Sequence, residues 1–584
     1  MVAVLGLAIA SLALVAARPT AAATPGDEVW TWGRNQYGQL GNGSVNAAGQ
    51  SVAGLTSLPS GTSVTQVSGG YGFSEALTST GQVLAWGQND VGQLGDGSFT
   101  NSTVPVNVQV PDGTTVTAIA VGDDHILALT STGQVLAWGY NDWGQLGNGT
   151  TEESNVPVPV DLPDGTTVTA IGAGAGHSLA LTSTGQVLAW GDNDLGQLGD
   201  GTRTDRYEPV EVELPTGTTA IAIVGGDDHS LALTSSGQLL AWGYNGSGQL
   251  GDGTTTTRTA PVTVHLPTGT SVSSIAAGSG FQSFAITAAG SVLAWGDNSY
   301  GQLGDGTTTR RTEPVTVSLP TGTTVTALDS GDDHTVALTS DGQVLAWGYN
   351  RYGQVGDGTT TNRSEPVEVQ FGDRTTAVRT KPVRVLQPTG ATVVAIGVGS
   401  YHSLAIAQTA QSTTTLASDS EQAQTGTAVT FTATVTCTVG SPTGTVTFTD
   451  DGQEIGSASL EDGIATLVID DLAEGQHTIT ANYAGDASCP ASSSEPVTVA
   501  ITAEGSSPTP TPTREPTLPP TSPGPIPGEP APGPTTGGVV PPTHGGLADS
   551  GTTALAPGMI AAVAGTLAVG GIALLIRRRR LLKS

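Results

Sequence analysis

The dipeptide Trp-Gly returns seven times along the chain, beginning at Trp32, Trp86, Trp138, Trp190, Trp242, Trp295 and Trp347, with successive spacings of 54, 52, 52, 52, 53 and 52 residues. Self-similarity at one fixed period of this size marks a chain built from stacked copies of a single supersecondary unit. A typical copy reads TVTAIAVGDDHILALTSTGQVLAWGYNDWGQLGNGT followed by PVPVDLP. It divides into four short segments of β-branched or alternating apolar residues, separated by Gly, Asp, Asn and Pro turns. Four strands per copy form a propeller blade, so an all-β, seven-bladed ring is expected over residues 28–407. The two ends of the array complement one another. The first copy opens on EVWTWG with no strand before it, and the last stops after HSLAIA with no AWG strand of its own. Pairing 28–33 with 402–407 would complete the seventh blade from both termini and leave no open sheet edge.

The AWG strand, the GQLGDG or GQLGNG turn after it and the G-x-x-H step before it resemble the RCC1 (regulator of chromosome condensation) repeat. That resemblance implies a seven-bladed RCC1-like propeller. The family member that names the repeat is a nuclear guanine-nucleotide exchange factor for a small GTPase that also binds chromatin, whereas a bacterial relative in the fold class is a secreted β-lactamase inhibitor. The net charge of −31 repels a phosphate backbone, so no nucleic-acid partner is expected.

Beyond the array, residues 412–503 carry strands such as AVTFTATVT, GTVTFTD and IATLVI. The pattern PTGTVTFTDDGQEIGSASL with HTITANYAGDASC resembles bacterial Ig-like domains, which implies a β-sandwich serving as a stalk. The chain's two cysteines, Cys437 and Cys489, both lie here and are expected to pair after export, against the alternative of two separate buried thiols. Neither a thiol nucleophile nor a cysteine metal site can therefore lie in the ring. Residues 504–546 are rich in Pro, Thr and Gly and read as an extended spacer, on the order of 100 Å long at ~3.1 Å per residue.

The ends point to the cell surface. Residues 1–23 form an apolar stretch closed by Ala21, Ala22 and Ala23, as in a signal peptide. Residues 547–584 begin with Leu547, Ala548, Asp549, Ser550 and Gly551, continue through an apolar run over 554–576 long enough to cross a bilayer as a transmembrane helix, and close on four arginines from Arg577. This ending looks like the sorting signal that sortase cleaves to join a Gram-positive protein to peptidoglycan, with Ala and Ser replacing the usual Pro and Thr of the pentapeptide. A retained membrane anchor is the alternative.

Residues repeated in every copy belong to the scaffold, so candidate sites are sought where copies differ. Histidine recurs at His125, His177, His229, His334 and His402, with Phe73 and Gln282 in the other two copies. A metal ring would not tolerate those replacements, so a packing and hydrogen-bonding role is expected, with no metal and no cofactor. The asparagine two residues beyond each Trp-Gly pair is expected to cap a turn. Two residues beyond that asparagine, Tyr37, Trp143, Tyr300 and Tyr352 break the repeat, joined by Tyr140, Tyr244 and Tyr349. They read as an aromatic contact rim or, equally, as packing between blades. Acidic pairs stand in alternate copies at Asp123 with Asp124, Asp227 with Asp228, and Asp332 with Asp333; solvated turn charges are the simpler reading, an acidic face drawing a basic partner the sharper one. The last copy carries an insertion of about 16 residues containing Arg374, Arg379, Lys381 and Arg384, either a protruding basic loop or a duplicated outer strand.

No nucleophile, base and orienting acid occur together in an unrepeated segment, so catalysis is not expected. The functional expectation is a monomeric, surface-anchored module binding an extracellular protein or glycan. A secreted inhibitor of an extracellular enzyme is the alternative, with a wall or glycan hydrolase further behind.

Overall fold

The computed structural model describes residues 27–371, 391–438, 441–486 and 489–503. The leader over 1–23, the basic insertion with Arg374, Arg379, Lys381 and Arg384, the spacer and the ending from Leu547 to Gly551 and beyond all lie outside the described residues.

Seven separate four-stranded antiparallel sheets follow one another. Blade one comprises Val64–Gly69, Phe73–Thr78, Val83–Gly87 and Ser102–Asn107, from the inner strand outwards. Blades two to six repeat this order, with inner strands Val116–Val121, Val168–Ala173, Ala220–Gly225, Val272–Ala277 and Val325–Ser330. Blade seven is assembled from both ends of the array. Its inner strands Ala391–Val398 and His402–Thr409 come from the last copy, and Asp27–Asn35 and Asn46–Leu55 from the first. The seam register sets Glu28 against Ala407 and Gly33 against His402. This closure joins the ring of blades without closing the sheets: every blade keeps an inner and an outer edge strand, contrary to the expectation that no sheet edge stays open.

The repeated residues build the joints between blades. Each tryptophan is buried and donates its indole N–H to the backbone carbonyl of the glutamine in the preceding copy's GQLG turn, as Trp190 does to Gln145 at 2.9 Å and Trp32 to Gln354 at 2.8 Å. The turn's leucine packs against the same indole, Leu146 with Trp190 in one cluster and Leu250 with Trp295 in another. Burying an indole in this way satisfies its only donor while placing its large apolar area between two sheets. The asparagines cap the same turns. Asn141 Oδ1 accepts from the Leu146 N–H at 2.9 Å, and its amide donates to the carbonyls of Thr150 and Glu152 at 3.1 and 2.9 Å.

Space at these joints is exact to the methyl group. Gly356 has φ +74°, and a Cβ added there would lie 2.7 Å from Trp32 Nε1, whereas Gly61, with φ +79°, has open space around it. Both positions share the left-handed strain, so their difference isolates the clash. Gly356→Ala is expected to lower the thermal midpoint well beyond Gly61→Ala, by about 2 kcal/mol or more in stability, measured by calorimetry; equal midpoints would contradict the packing described.

The second domain is a sandwich of two sheets. One contains Ser412–Ser418, Val429–Cys437 and Ile464–Ile469; the other contains Gln422–Gln424, Val497–Thr502, Gly475–Tyr483, Thr445–Asp450 and Gln453–Ser459, with Ser492–Ser493 added to Gly475–Tyr483. Strand alternation turns Val429, Phe431, Ala433 and Val435 inwards onto Phe448, Ile479 and Val499. Cys437 and Cys489 form a disulfide with Cα atoms 5.9 Å apart.

Candidate functional site

In an antiparallel blade, the turn joining strands one and two and the loop joining strands three and four emerge at the same end. The variable aromatic residues and the acidic pairs singled out in the sequence lie on those turns and loops, and therefore on one face of the ring. Around its mouth the first of these turns are stitched together by backbone hydrogen bonds. Tyr71 N–H donates to the Asp123 carbonyl at 2.8 Å, Asp123 to Ala175 at 3.4 Å, Ala175 to Asp227 at 3.2 Å, Asp227 to Gly280 at 3.4 Å, and Asp332 to Ser400 at 3.2 Å. Ser400 donates to Gly70 at 3.2 Å, which carries the belt across the seam into blade one.

The repeated histidines lie just beneath this belt and are structural. The His177 ring nitrogen Nε2 is 2.9 Å from Ser230 Oγ of the next blade, and Ser230 donates to the Gln197 carbonyl at 2.8 Å. With the serine proton so used, the histidine must donate from Nε2 and leave Nδ1 bare. The same link joins His125 to Ser178, His229 to Ser283, His334 to Ser403 and, across the seam, His402 to Ser74. Burial pushes all five imidazoles down to about 3, so they are neutral. The exceptions in the sequence are explained by their neighbours. Phe73 meets Ile126, an apolar residue at the serine position, in one cluster, and Gln282 bonds instead to Ser330 Oγ and the Gly331 carbonyl.

The aromatic residues do not form a continuous rim. Tyr37, Tyr300 and Tyr352 come together at the seam, where Tyr349 lies 4.8 Å from Tyr300 and 6.4 Å from Tyr352 between ring centroids. Trp143 stands apart, edge-on to Tyr140 at 5.2 Å, and Tyr244 packs on Phe281 at 5.3 Å. The seam cluster includes three residues that the repeat comparison passed over: Arg34, Tyr71 and Tyr401. The Arg34 guanidinium carbon lies 5.3–5.6 Å from the ring centroids of Tyr37, Tyr71, Tyr352 and Tyr401. Burial works against its charge, yet the Tyr71 hydroxyl and the rings of Tyr37 and Tyr352 hold its pKa above the usual arginine value. A signal for Arg34 was present. The residue after Trp-Gly is Gln88, Tyr140, Asp192, Tyr244, Asp297 or Tyr349 in the other copies, and Arg34 is the lone cation at that position.

The acidic pairs are less solvated than expected. Asp227, Asp228 and Asp332 are 6–7% exposed, because their turns are pulled into the belt. Asp124 and Asp333 are half-buried, near the side-chain amides of Gln93 at 3.4 Å and Gln302 at 3.1 Å. Asp192 and Asp194 with Asp205 form a further cluster on this face, with carboxylate oxygens within 4.8 Å of one another. Burial, then the Asp228 charge, pushes Asp192 up to about 7. Deeper in, Asp329 lines a cavity of about 60 Å³ on the ring axis and accepts from the backbone N–H of Val398 in the neighbouring blade at 2.9 Å. Burial pushes it up to about 7 as well.

Four of the aspartates that follow the GQLG or GQVG turn are ion-paired. Asp200, Asp252, Asp305 and Asp357 accept from Arg206, Arg258, Arg311 and Arg363 at 2.5–2.8 Å. Burial opposes their ionisation, but hydrogen bonds from the neighbouring threonine and arginine hold them below the usual carboxylate range. The copies with Asn42, Asn148 and Asp96 have no arginine six residues on, so every arginine at that position faces an aspartate.

Seven four-stranded blades, closed through a seam between the ends of the array and carrying their sequence variation on one loop-built face, define a propeller of the protein-interaction class. The chain belongs to the RCC1-like family. Residues 6–282 match the RCC1-like domain, 289–338 and 341–406 match RCC1 repeats, and 414–502 match a bacterial Ig-like domain of group 3. It is 34% identical over 342 residues to the ultraviolet-B receptor UVR8 of Arabidopsis thaliana, covering 58% of this chain and 77% of that one. It is 31% identical to the mouse secretion-regulating guanine nucleotide exchange factor, covering 65% of this chain and 83% of that one. Human HERC2, an E3 ubiquitin-protein ligase, is 34% identical, but the match spans only 7% of its length. Human WBSCR16 superposes with a TM-score of 0.57 at 25% identity over 66% of this chain and 99% of its own. Yeast RCC1, solved bound to Kap60, gives 0.57 at 23% identity and shares the fold.

Proposed function

We propose that this protein is exported and binds a protein partner at the cell surface through the face built from the first turns and the long loops of each blade. The observation that carries this reading is the division of labour within the repeat. Tryptophan, asparagine, histidine and the GQLG turns are consumed in blade joints, while aromatic and charged residues that differ between copies collect on a single face. Binding surfaces are commonly built in this way, with variable loops on a rigid scaffold. The Ig-like domain and the Pro-rich segment over 504–546 suit a stalk that holds the ring away from an envelope, attached through the ending at 547–584 by sortase or by a membrane helix. Binding is favoured over catalysis because the five repeated imidazoles are neutral, buried and bonded to serines, which leaves them unfit to shuttle protons at neutral pH.

Two substitutions test the face. Trp143→Ala and Tyr352→Ala, in two separate sectors of it, are each expected to weaken capture of a cross-linked surface partner by about tenfold or more while the thermal midpoint of the ring stays within a few degrees. Unchanged capture by both variants would remove this face from the proposal. Release of product from peptidoglycan or glycans by the intact protein would replace binding with catalysis.

A further inference from the structure

Among the described residues, the cation at the seam has no acidic partner. Arg34 is only 9% exposed, no carboxylate pairs with it among the described residues, and its Nε has no hydrogen-bond partner. Its remaining polar contacts are to Gln36 Oε1 at 2.6 Å and to Tyr71. A guanidinium enclosed by four tyrosine rings is stabilised by their π faces, yet keeps an unmet donor in a setting where a carboxylate would be bound strongly. Tyr352 and Tyr401 stand edge to face at 5.9 Å, Tyr71 and Tyr401 at 6.0 Å, so the site has a tyrosine wall and an arginine within. Arg351 lies 5.9 Å from the Tyr352 ring at its margin.

The surroundings restrict what can enter. Tyr71 is bonded through its backbone to Asp123, and Tyr37 feels the negative charges of Asp90 and Asp124. Round the mouth follow Asp227, Asp228, Asp332 and Asp333. One negative charge can be matched at Arg34, but a second one placed beside it meets these acids, so a dianionic phosphate or a run of acidic residues is disfavoured. Positive charges placed next to the bound anion are favoured.

We propose that the seam site takes the carboxylate side chain of a single glutamate or aspartate in an extended protein segment, whose adjacent lysines or arginines lie over the acidic turns of the ring mouth. This names the partner chemistry of the face proposed above and rests on that reading.

The test uses the full chain and fluorescently labelled peptides. The probe Gly-Glu-Gly-Lys-Gly-Lys-Gly-Lys is compared with the same peptide carrying glutamine for glutamate, and with one carrying glutamine for every lysine. The expected result is that each replacement weakens binding by about tenfold, that Arg34→Gln reproduces the loss caused by removing glutamate, and that Arg34→Lys restores part of it. Asp124→Asn with Asp333→Asn should reduce only the lysine-dependent part, and added salt should weaken binding throughout. Equal affinity for the glutamate and glutamine peptides overturns the proposal, and this comparison needs no variant to fold. Tighter binding of a phosphoserine peptide than of the glutamate probe overturns it too. If the peptides fail to discriminate while Trp143→Ala still weakens partner capture, the seam assignment falls and the binding face stands; if both fail, the face falls with it.

Discussion

Acidification from about pH 6 to pH 5 is expected to destabilise the propeller by an amount on the order of a few kcal/mol, because the unfolded chain takes up more protons in this window than the folded ring, at ~1.36 kcal/mol per proton and pH unit. The sign follows from two opposed sets of groups. His125, His177, His229, His334 and His402 are held down to about 3 in the folded ring, so in this window the unfolded chain protonates them and the folded chain does not. Their contribution to stability is fully present above the ordinary histidine pKa of about 6.5 and is lost as pH falls towards 3. Acting the other way, Asp192 and Asp329 are pushed up to about 7, so these folded-state acids hold protons that the unfolded chain has released, and burial raises Glu75 in the same direction. The five imidazoles outnumber these acids, so unfolding takes up protons in this window. Below about pH 4 the unfolded carboxylates also protonate, the offset disappears and the loss steepens. Chemical denaturation at a series of pH values reads the slope directly. The double substitution His125→Phe with Ser178→Ile, which copies the Phe73 and Ile126 pair into the next joint, is expected to reduce the slope by about one proton. An unchanged slope would show that the imidazoles are not the source.

The second large effect concerns Glu75. It is fully buried in the second strand of blade one, neither carboxyl oxygen has a hydrogen-bond partner among the described residues, and burial raises its pKa. The equivalent positions in the other blades hold Leu127, Leu179, Leu231, Phe284, Val336 and Leu404. Placing a carboxyl group there forfeits apolar burial and leaves polar atoms unmet, each a cost of about 1–3 kcal/mol. Glu75→Leu is therefore expected to stabilise the ring at pH 7 by about 2–4 kcal/mol. The sign with pH is definite. A carboxyl whose pKa is raised by burial favours the native state most below the ordinary glutamate pKa of about 4.3 and progressively less as pH rises, so the gain from its removal should grow with pH. Because burial raises Glu75, the same substitution should also steepen the loss of stability on acidification. Denaturant midpoints of the variant and the parent at pH 5 and pH 8 check both statements; a variant less stable at pH 8 would contradict them.

The seam between the ends of the array was readable in advance because strand count is a local property. Missing strands at the two ends of a phased repeat can be counted, and the register from Glu28 with Ala407 to Gly33 with His402 follows from it. The scaffold role of the histidines was legible for a similar reason, since Phe73 and Gln282 broke the pattern of a ligand set. Their partner was not legible. The serine that meets His177 is Ser230, 53 residues away in the next copy, and only stacking of blades brings the two within 2.9 Å.

What the sequence alone determined about this protein is its periodic part: seven copies, four strands each, a ring closed across its ends and an Ig-like domain after it. These depend on hydrophobic alternation and turn residues within a few tens of positions. Tertiary structure alone decided which unlike residues meet. Arg34 comes from the first copy, Tyr71 from the second, and Tyr352 and Tyr401 from the end of the array, and ring closure gathers them within 5.6 Å of one cation. The same folding turned the acidic pairs from expected solvated turns into members of a backbone belt and buried Glu75. Charge, burial and π contact depend on distances that fall with folding rather than on spacing along the chain, which is why the scaffold could be read from its repeat and the site could not.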